Sequence, residues 1–537
     1  MTNKNLVLKH LSCVLPDGRV LFSDLNEQFD MRPTGLVGRN GVGKTFLAQI
    51  LAGKLHPTHG SCHYSGTVHY LAQQVAYPDG YTVADLAGIK HIIDALERIE
   101  TGNSAPEDFD VVGNYWDIRQ RLNIMLQCHN LDHLEANTPA SILSGGESMR
   151  VALAGAMLSD ADFLILDEPT NHLDRPNRQA LIEQLQNWSR GVIVVSHDRQ
   201  LLDSMQRIVE LSSQTLKSYG GNYSFYVETR ANEQQTAQQN LDELRNERRR
   251  QSQEIQKQHE RQERRSARGN RQGKDANQAR ILLGRQKERS EKSAGILQRN
   301  QAASKENITQ RIREAERVIE DAAHINLHQI PVSREIKRRI AELKDVVLPY
   351  AGAVTGTLSM VISGQQRIGV IGPNGCGKST LLRMIAGRQL PQAGEINVNV
   401  PVAWLDQRLD NLPPEKTVLE QLQSINPAMS EGVMRMRLAQ LGLDAQKIAT
   451  PAALLSGGER LKGALACIIY AATPPQLLLL DEPNNHLDLP SVGALEAMIR
   501  GYHGSLMVIS HDDAFLSSLG LTDRLIATKD GWRLETL

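Results

Sequence analysis

The stretch that decides the fold is a glycine-rich loop ending in a lysine and a threonine, Gly38-Arg39-Asn40-Gly41-Val42-Gly43-Lys44-Thr45. It returns 334 residues later as Gly372-Pro373-Asn374-Gly375-Cys376-Gly377-Lys378-Ser379. A loop of the form GxxxxGK[ST] between a strand and a helix places backbone N–H groups around phosphates, its lysine neutralises them and its hydroxyl holds Mg²⁺. Residues 34–37 and 368–371 are the expected strands, and Phe46 and Thr380 are expected to open the helices.

The loop is one of four motifs that occur twice in the same order. Leu143–Glu147 (LSGGE) returns at 455–459, Leu164–Asp174 at 478–488, and Val195–Asp198 at 509–512. The lysines of the two copies are 334 residues apart but the later histidines only 314, so the first copy holds about 20 extra residues between Gln73 and Ser144. We predict two α/β domains, residues 1–228 and 336–537, with the extra residues forming a small surface excursion near 98–120.

Each copy contains an apolar run that ends in two acidic residues. The runs, residues 163–166 and 477–480, are typical of a strand buried in a parallel sheet. Asp167-Glu168 and Asp481-Glu482 follow them, and a carboxylate at the carboxyl end of such a strand faces the nucleotide crevice. We expect the aspartates to bind Mg²⁺ and the glutamates to polarise the attacking water.

A histidine follows a second apolar run in each copy. His197 and His511 both lie 29 residues after their glutamates. A lone histidine is more often structural, but the repetition at one spacing favours contact with the γ-phosphate of ATP.

The segment between the copies, residues 229–335, has a different composition. Residues 241–320 hold 21 Lys/Arg and 13 Asp/Glu, a net charge of +8 on a chain whose total is −1, and no aromatic residue occurs from Val227 to Pro349. We predict two long helices interrupted at Gly269, Gly273 and Asn277 and joined by a basic tip around residues 266–278. A solvated helical spacer is the alternative, but the concentration of charge favours binding of a polyanion.

The composition of the chain argues against a membrane-spanning protein and against a secreted one. No run of 18 apolar residues is present, and the first ten residues lack a signal-peptide hydrophobic stretch. The five cysteines are scattered and free of CxxC spacing, which predicts reduced thiols in a cytoplasmic protein.

The LSGGE, DEPxNHLD and SHD motifs resemble those of the ABC ATPase superfamily, in which each site forms between two domains. The resemblance implies that Ser456-Gly457-Gly458 completes the Lys44 site and Ser144-Gly145-Gly146 the Lys378 site. Tyr350 resembles the adenine-stacking aromatic, and Gln73 and Gln407 resemble the Q-loop glutamines. The expected Mg²⁺ ligands are thus Thr45, Gln73, Asp167, Ser379, Gln407 and Asp481.

Two cassettes joined by a charged helical linker, with Tyr219–Tyr226 leading into it, are similar to the ABC-F family; Asn484 departs from the usual threonine. The resemblance implies a monomer whose cassettes pair with each other and bind ATP and Mg²⁺. It also implies binding to the ribosomal tRNA exit site, with the linker reaching P-site tRNA and 23S-type rRNA near the peptidyl-transferase centre. Some members release antibiotics there, and the sequence leaves open a housekeeping or a resistance role. The expected RNA contacts at the tip are Arg264, Arg265, Arg268, Arg271 and Lys274.

Two other functions remain as alternatives. An ATPase subunit of a membrane transporter would explain the cassettes but not the basic linker. A DNA-maintenance ATPase would need a longer arm, because about 40 residues per side extend roughly 60 Å at 1.5 Å per residue.

Overall fold

The computed structural model describes residues 4–74, 77–102, 105–171, 173–275, 303, 305–316, 338–349, 356–406, 412–485, 487–528 and 530–537. The chain forms two compact units. The first contains Met1–Tyr226 together with Ile325–Leu537, and therefore both copies of the repeat. The second is Val227–His324.

The first copy is built on two sheets. A three-stranded antiparallel sheet has the order β2-β1-β4, with β1 (Leu6–Val14), β2 (Val20–Phe29) and β4 (His59–Tyr64). A six-stranded sheet has the order β5-β6-β7-β3-β8-β9, with β3 (Thr34–Gly38), β5 (Val68–Leu71), β6 (Phe163–Asp167), β7 (Gly191–Val195), β8 (Arg207–Leu211) and β9 (Leu216–Gly220). Only β9 runs antiparallel to its neighbour in this sheet.

Eight helices accompany these strands among the described residues. They are α1 (Lys44–Leu51), α2 (Val83–Leu86), α3 (Lys90–Glu100), α4 (Pro106–Val112), α5 (Ile118–Cys128), α6 (Gly145–Leu158), α7 (Arg175–Gln186) and α8 (Arg199–Asp203).

Strand β6 shows why the two acidic residues lie where they do. All five of its residues are buried. Phe163 and Ile165 pack into one apolar cluster, and Leu164 and Leu166 pack into another. Because successive side chains of a strand point to opposite faces, both faces of the sheet are covered. The chain can therefore expose polar chemistry only where the strand ends.

The extra residues of the first copy are helical. The bridges Thr82–Pro139 and Thr417–Pro451 occupy equivalent places in the two copies, so the extra residues lie between the first pair, in the segment that contains α3, α4 and α5. Val112, Ile118 and Leu122 of this segment are fully buried. Where the sequence suggested a surface excursion, the structure has helices with an apolar inner face; a role as an arm stays a prediction.

The linker contains two described helices. They are α9 (Tyr223–Asp275) and α10 (residues 305–316). Leu241, Leu244, Ile308 and Ile312 form a small apolar cluster between them, and Arg245 pairs with Glu316 at 2.9 Å.

One expectation for the linker is wrong. Helix α9 continues through Gly269 and Gly273, which were expected to interrupt it. A glycine costs a helix only about 1 kcal/mol relative to alanine, and the flanking residues are good helix formers. Residues 276–278 of the expected tip, Asn277 included, lie outside the described residues.

The second copy repeats the strand order of the first. Its three-stranded sheet has the order β11-β10-β13, with β10 (Arg339–Val347), β11 (Leu358–Ser363) and β13 (Ala393–Val398). Its six-stranded sheet has the order β14-β15-β16-β12-β17-β18, with β12 (Arg367–Ile371), β14 (Val402–Leu405), β15 (Leu477–Asp481), β16 (Ser505–Ile509), β17 (Asp523–Thr528) and β18 (Gly531–Thr536). The helices are α11 (Lys378–Ile385), α12 (Val418–Ile425), α13 (Glu431–Gln440), α14 (Ala445–Ile448), α15 (Gly457–Ile469), α16 (Leu489–Arg500) and α17 (Asp513–Ser518).

Candidate nucleotide-binding sites

The two glycine-rich loops have nearly the same geometry. Gly43 and Gly377 adopt left-handed backbone conformations, with φ of 104° and 92°, immediately before the helices begin at Lys44 and Lys378. Glycine alone adopts such angles without steric cost, so the turn into the helix is made there. The helices therefore start two residues earlier than the predicted positions, Phe46 and Thr380.

Both loop lysines are buried and fold back over their loops. Lys44 Nζ donates to Gly38 O at 2.8 Å and to Arg39 O at 3.1 Å. Lys378 Nζ donates to the equivalent carbonyls of Gly372 and Pro373 at 2.8 and 2.9 Å. Both ammonium groups thus lie against the loops that would surround the phosphates. Cys376 of the second loop is buried against Ala527 and Trp532.

A hydroxyl and a carboxylate meet beside each loop. Ser379 Oγ donates to Asp481 Oδ1 at 3.0 Å, and Thr45 hydrogen-bonds to Asp167. In the first copy Asp167 Oδ1 is buried without a hydrogen-bond partner among the described residues. Hydroxyl and carboxylate oxygens are the ligands that Mg²⁺ prefers, so both pairs fit this ion.

The two glutamates occupy an unusual backbone conformation. Glu168 and Glu482 have φ of 49° and 48°, in the left-handed region. Their N–H groups donate to Val195 O at 2.8 Å and Ile509 O at 3.1 Å in the neighbouring strands. A left-handed non-glycine residue costs about 1–2 kcal/mol, which the sheet hydrogen bonds help to offset. The strands thus turn at fixed points directly after the aspartates.

Burial changes the pKa values of the groups around each glutamate. It raises the pKa of Glu168 to about 8 and that of Glu482 to about 7, while Lys44 and Lys378 act to lower them. His197 and His511 each place Nε2 3.5 Å from the glutamate Oε1 of the same copy. Burial, together with the nearby lysines, lowers the pKa of both histidines to about 3. The histidines are therefore neutral at physiological pH, and the glutamates titrate close to it.

A cavity of about 380 Å³ brings the predicted residues of the first copy together. Its lining from that copy includes Asn40, Gly41, Gly43, Lys44, Thr45, Phe46, Gln73, Asp167, Glu168 and His197. The second copy contributes Asn484, Asn485, Leu487, Val492 and Asp512. The Lys44 site therefore lies where the two copies meet.

The comparisons with known proteins agree with this geometry. Residues 29–171 and 356–485 match the protein family described as "ABC transporter". The chain is 30% identical over 529 residues to ABC transporter F family member 5 of Arabidopsis thaliana, covering 93% of this chain and 71% of that protein. The chain belongs to the ABC-F family. It is therefore an ABC-type ATPase with two tandem nucleotide-binding cassettes.

Other relatives of this ABC-F chain cover similar lengths. The energy-dependent translational throttle protein EttA of Mycobacterium tuberculosis is 31% identical, over 90% of this chain and 84% of its own. The ATP-binding protein Uup of Haemophilus influenzae is 30% identical, over 90% of this chain and 72% of its own.

Two solved structures share the fold of the ABC-F chain. The RNase-L Inhibitor gives a TM-score of 0.58 at 18% identity, covering 98% of this chain and 90% of that one. An archaeal ribosome recycling factor, solved with a ribosomal stalk protein, gives 0.54 at 19% identity, covering 98% and 89%. At these identities the likeness concerns the fold alone. Across the described residues, no helix combines the length and apolarity needed to cross a membrane.

Several contacts join the cassettes of this ABC-F protein, and one of them involves the glycine-rich loop of the Lys44 site. The backbone N–H of Asn40 donates to Asp488 Oδ2 at 2.8 Å. Two ion pairs also join the cassettes: Arg199 with Glu496 at 2.7 Å, and Arg175 with Asp513 at 2.9 Å. The arginines belong to the first cassette and the acids to the second.

The signature segments begin helices. Ser144 and Ser456 cap α6 and α15, each in a capping box with the glutamate three residues later. Gly145 and Gly146, like Gly457 and Gly458, form the first turns of these helices. The lining of the Lys44 cavity includes none of Ser456, Gly457 and Gly458, although all three are described. Their predicted role in the opposite site stays a prediction.

For the remaining predicted site residues the structure gives less detail. Tyr350 and Gln407 lie outside the described residues. Arg264 is exposed on α9, and the same helix contains Arg265, Arg268, Arg271 and Lys274.

Sequence reasoning missed Arg178, Asn40 and Asp488 as residues that join the cassettes. Arg178 lies in α7, and its Nη1 donates to His511 O of the second cassette at 3.0 Å. Its sequence signal was available: a basic residue lies one turn after Asp174, where the second copy has valine.

Proposed function

We propose that this ABC-F ATPase is a translation factor that binds the ribosome near the tRNA exit site and is released when it hydrolyses ATP. In this proposal the linker reaches toward P-site tRNA and 23S-type rRNA around the peptidyl-transferase centre. The observation that carries the proposal is the attachment of a twin-cassette ATPase to a helical segment with a net charge of +8 over residues 241–320. Such a segment suits the phosphates of RNA, and one relative is named a translational throttle protein.

Within each site we assign separate roles to the chain's own groups. Lys44 and Lys378 bind the β- and γ-phosphates, and the neutral histidines donate to the γ-phosphate. Glu168 and Glu482 accept a proton from the attacking water, which requires them to be ionised. Because their pKa values are near neutrality, they exchange protons easily at physiological pH.

The ATP would enter with Mg²⁺, which neutralises charge on the transferred phosphate. The residues that would hold the ion are Thr45, Gln73 and Asp167 in the first site and Ser379, Gln407 and Asp481 in the second. The signature segments Ser456–Gly458 and Ser144–Gly146 would complete the opposite sites in the closed state.

Protection of the ribosome against antibiotics is an extension of the same proposal. A linker that reaches the peptidyl-transferase centre would compete with drugs bound there. Growth of a deletion strain on such drugs, with and without the plasmid-borne protein, separates this role from a housekeeping one.

The main test is ribosome retention by the double variant E168Q/E482Q. Glutamine keeps the shape of the side chain but removes the base, so ATP turnover should fall by about 10²-fold or more. The ATP-bound form should then persist and co-sediment with ribosomes through a sucrose cushion. E107Q, at an exposed glutamate of α4, is the matched control.

Three outcomes would contradict the proposal. Near-normal turnover would reject the glutamates as bases. Retention on membrane vesicles instead of ribosomes would favour the transporter subunit, and retention on DNA would favour a DNA-maintenance ATPase.

A further inference from the structure

The guanidinium of Arg178 lies between the two histidine segments. It projects from α7 of the first cassette, and its side chain is only 11% exposed. Nη1 donates to the backbone carbonyl of His511 at 3.0 Å, across the contact between the cassettes. Nε lies 3.1 Å from Asp198 Oδ2, in the residue that follows His197.

The second cassette has no equivalent arginine. Arg178 lies four residues after Asp174, and the residue four after Asp488 is Val492, whose side chain cannot donate a hydrogen bond. Val492 lines the cavity of the Lys44 site, and so does Arg178, although the hydrogen bond of Arg178 goes to His511 of the Lys378 site. The two sites therefore differ at a position that the duplication made equivalent.

A second difference between the copies concerns the residues on either side of His511 in the chain. Asn484 occupies the position of Thr170. Its Oδ1 accepts from Ser510 Oγ at 2.9 Å, and its Nδ2 donates to Asp512 Oδ2 at 3.4 Å. The segment Ser510–Asp512 is thus held by Asn484 from its own cassette and by Arg178 from the opposite one.

We propose that Arg178 is a positioning residue of the Lys378 site: it fixes His511 from the opposite cassette, so that hydrolysis at this site depends on an arginine for which the Lys44 site has a valine. The proposal rests on the roles proposed above for Glu482 and His511. In this proposal the two ATP sites differ in whether hydrolysis depends on a residue of the opposite cassette at this position.

The contact with Arg178 bears on the catalytic group of the same site. The carbonyl that Arg178 holds belongs to His511, whose Nε2 lies 3.5 Å from Glu482 Oε1. Loss of the guanidinium should therefore leave His511 less well placed, and it should lower kcat at this site more than it raises KM for ATP.

The test compares the variants R178V and R178K in two single-site backgrounds. E168Q leaves the Lys378 site able to turn over, and E482Q leaves the Lys44 site. R178V should lower turnover by about tenfold in E168Q, the effect of losing one charge-assisted hydrogen bond, and by less than about threefold in E482Q. R178K should restore part of the loss. R190V, at an arginine paired with Asp160 of the same cassette, is the control.

The otherwise unchanged chain gives the second measurement. There R178V should lower kcat and leave KM for ATP nearly unchanged, while R178K, which keeps a charged donor, should restore part of kcat. If a single-site variant has no measurable turnover, the measurement on the full chain decides. Equal losses in both backgrounds, or an unchanged kcat in the full chain, would overturn the proposal.

Failure of this proposal can be separated from failure of the base assignment. If E168Q/E482Q still hydrolyses ATP at a normal rate, the glutamates are not the bases, whatever the Arg178 variants do. If that double variant is inactive and R178V has no effect, only the role of Arg178 is rejected.

Discussion

Glu168 and Glu482 stand in closely similar surroundings in their two cassettes. Both have left-handed φ, both are buried, and both lie 3.5 Å from a histidine nitrogen. They differ in which charges are near them: Asp198 raises the pKa of Glu168, whereas Arg178 lowers that of Glu482. The charges that distinguish the surroundings of the two glutamates thus include Asp198 and Arg178, which lie 3.1 Å from each other.

The pKa values predict the pH dependence of turnover. The base acts as a carboxylate, so activity is present above its pKa and is lost as the pH falls through it. We expect the acid limb of kcat/KM for ATP to have an apparent pKa near 7–8, with a loss of about tenfold or more at pH 6. A profile that stays flat down to pH 5, with E107Q behaving like the parent, would show that these groups do not control the rate.

The motif residues could be placed from the sequence, but their environment could not. Spacing after an apolar run located Glu168 at a strand end, because a strand buried on both faces leaves polar groups only at its ends. Its raised pKa depends on how completely the two cassettes cover it. Leu487 and Val492 line the cavity that Glu168 also lines, and they are more than 300 positions away from it in the chain.

Helices α3, α4 and α5 give the first cassette an apolar layer of its own. Their inner residues join Leu131, Leu134 and Val151 in a single cluster. Helix α3 ends at Glu100, and Pro106 is the first residue of α4. Proline is well tolerated there, so it marked the start of a helix.

A substitution in α5 tests whether this layer is part of the core. Leu122 is fully buried, so L122A should leave a cavity and cost about 2–5 kcal/mol of stability. Ile124 of the same helix is 50% exposed, and I124A should cost less than about 1 kcal/mol. The measurement is the midpoint of urea unfolding followed by circular dichroism. Equal effects of the two variants would mean that the layer is loosely packed.

The linker distinguishes the whole protein from a bare pair of cassettes. The excess of positive charge in the linker could be counted from the sequence. The sequence did not show that four apolar residues of the linker pack together, because no local pattern marks them as partners; they are Leu241, Leu244, Ile308 and Ile312. The helical character of α9 was predicted, and its continuation past Gly269 was not.

Replacing Arg264, Arg265, Arg268, Arg271 and Lys274 with alanine tests the proposed RNA contact. Each phosphate that the protein no longer neutralises should reduce the slope of log affinity against log salt by about 0.7–0.9, so ribosome binding should weaken and its salt dependence should flatten. Replacing the four arginines with lysine keeps the charge and should preserve most of the binding. ATP turnover without ribosomes checks that the nucleotide sites are formed. An unchanged salt slope in the alanine variant would make the linker a spacer.

The ion pairs between the cassettes have a consequence for how the protein is made. If two first cassettes met in the same way, Arg175 of one would face Arg199 of the other; two second cassettes would oppose Glu496 and Asp513. Either like pairing would place two equal charges opposite each other, which disfavours a symmetric dimer of one half relative to the observed pairing of unlike halves. Synthesis as one polypeptide supplies the two halves in equal numbers.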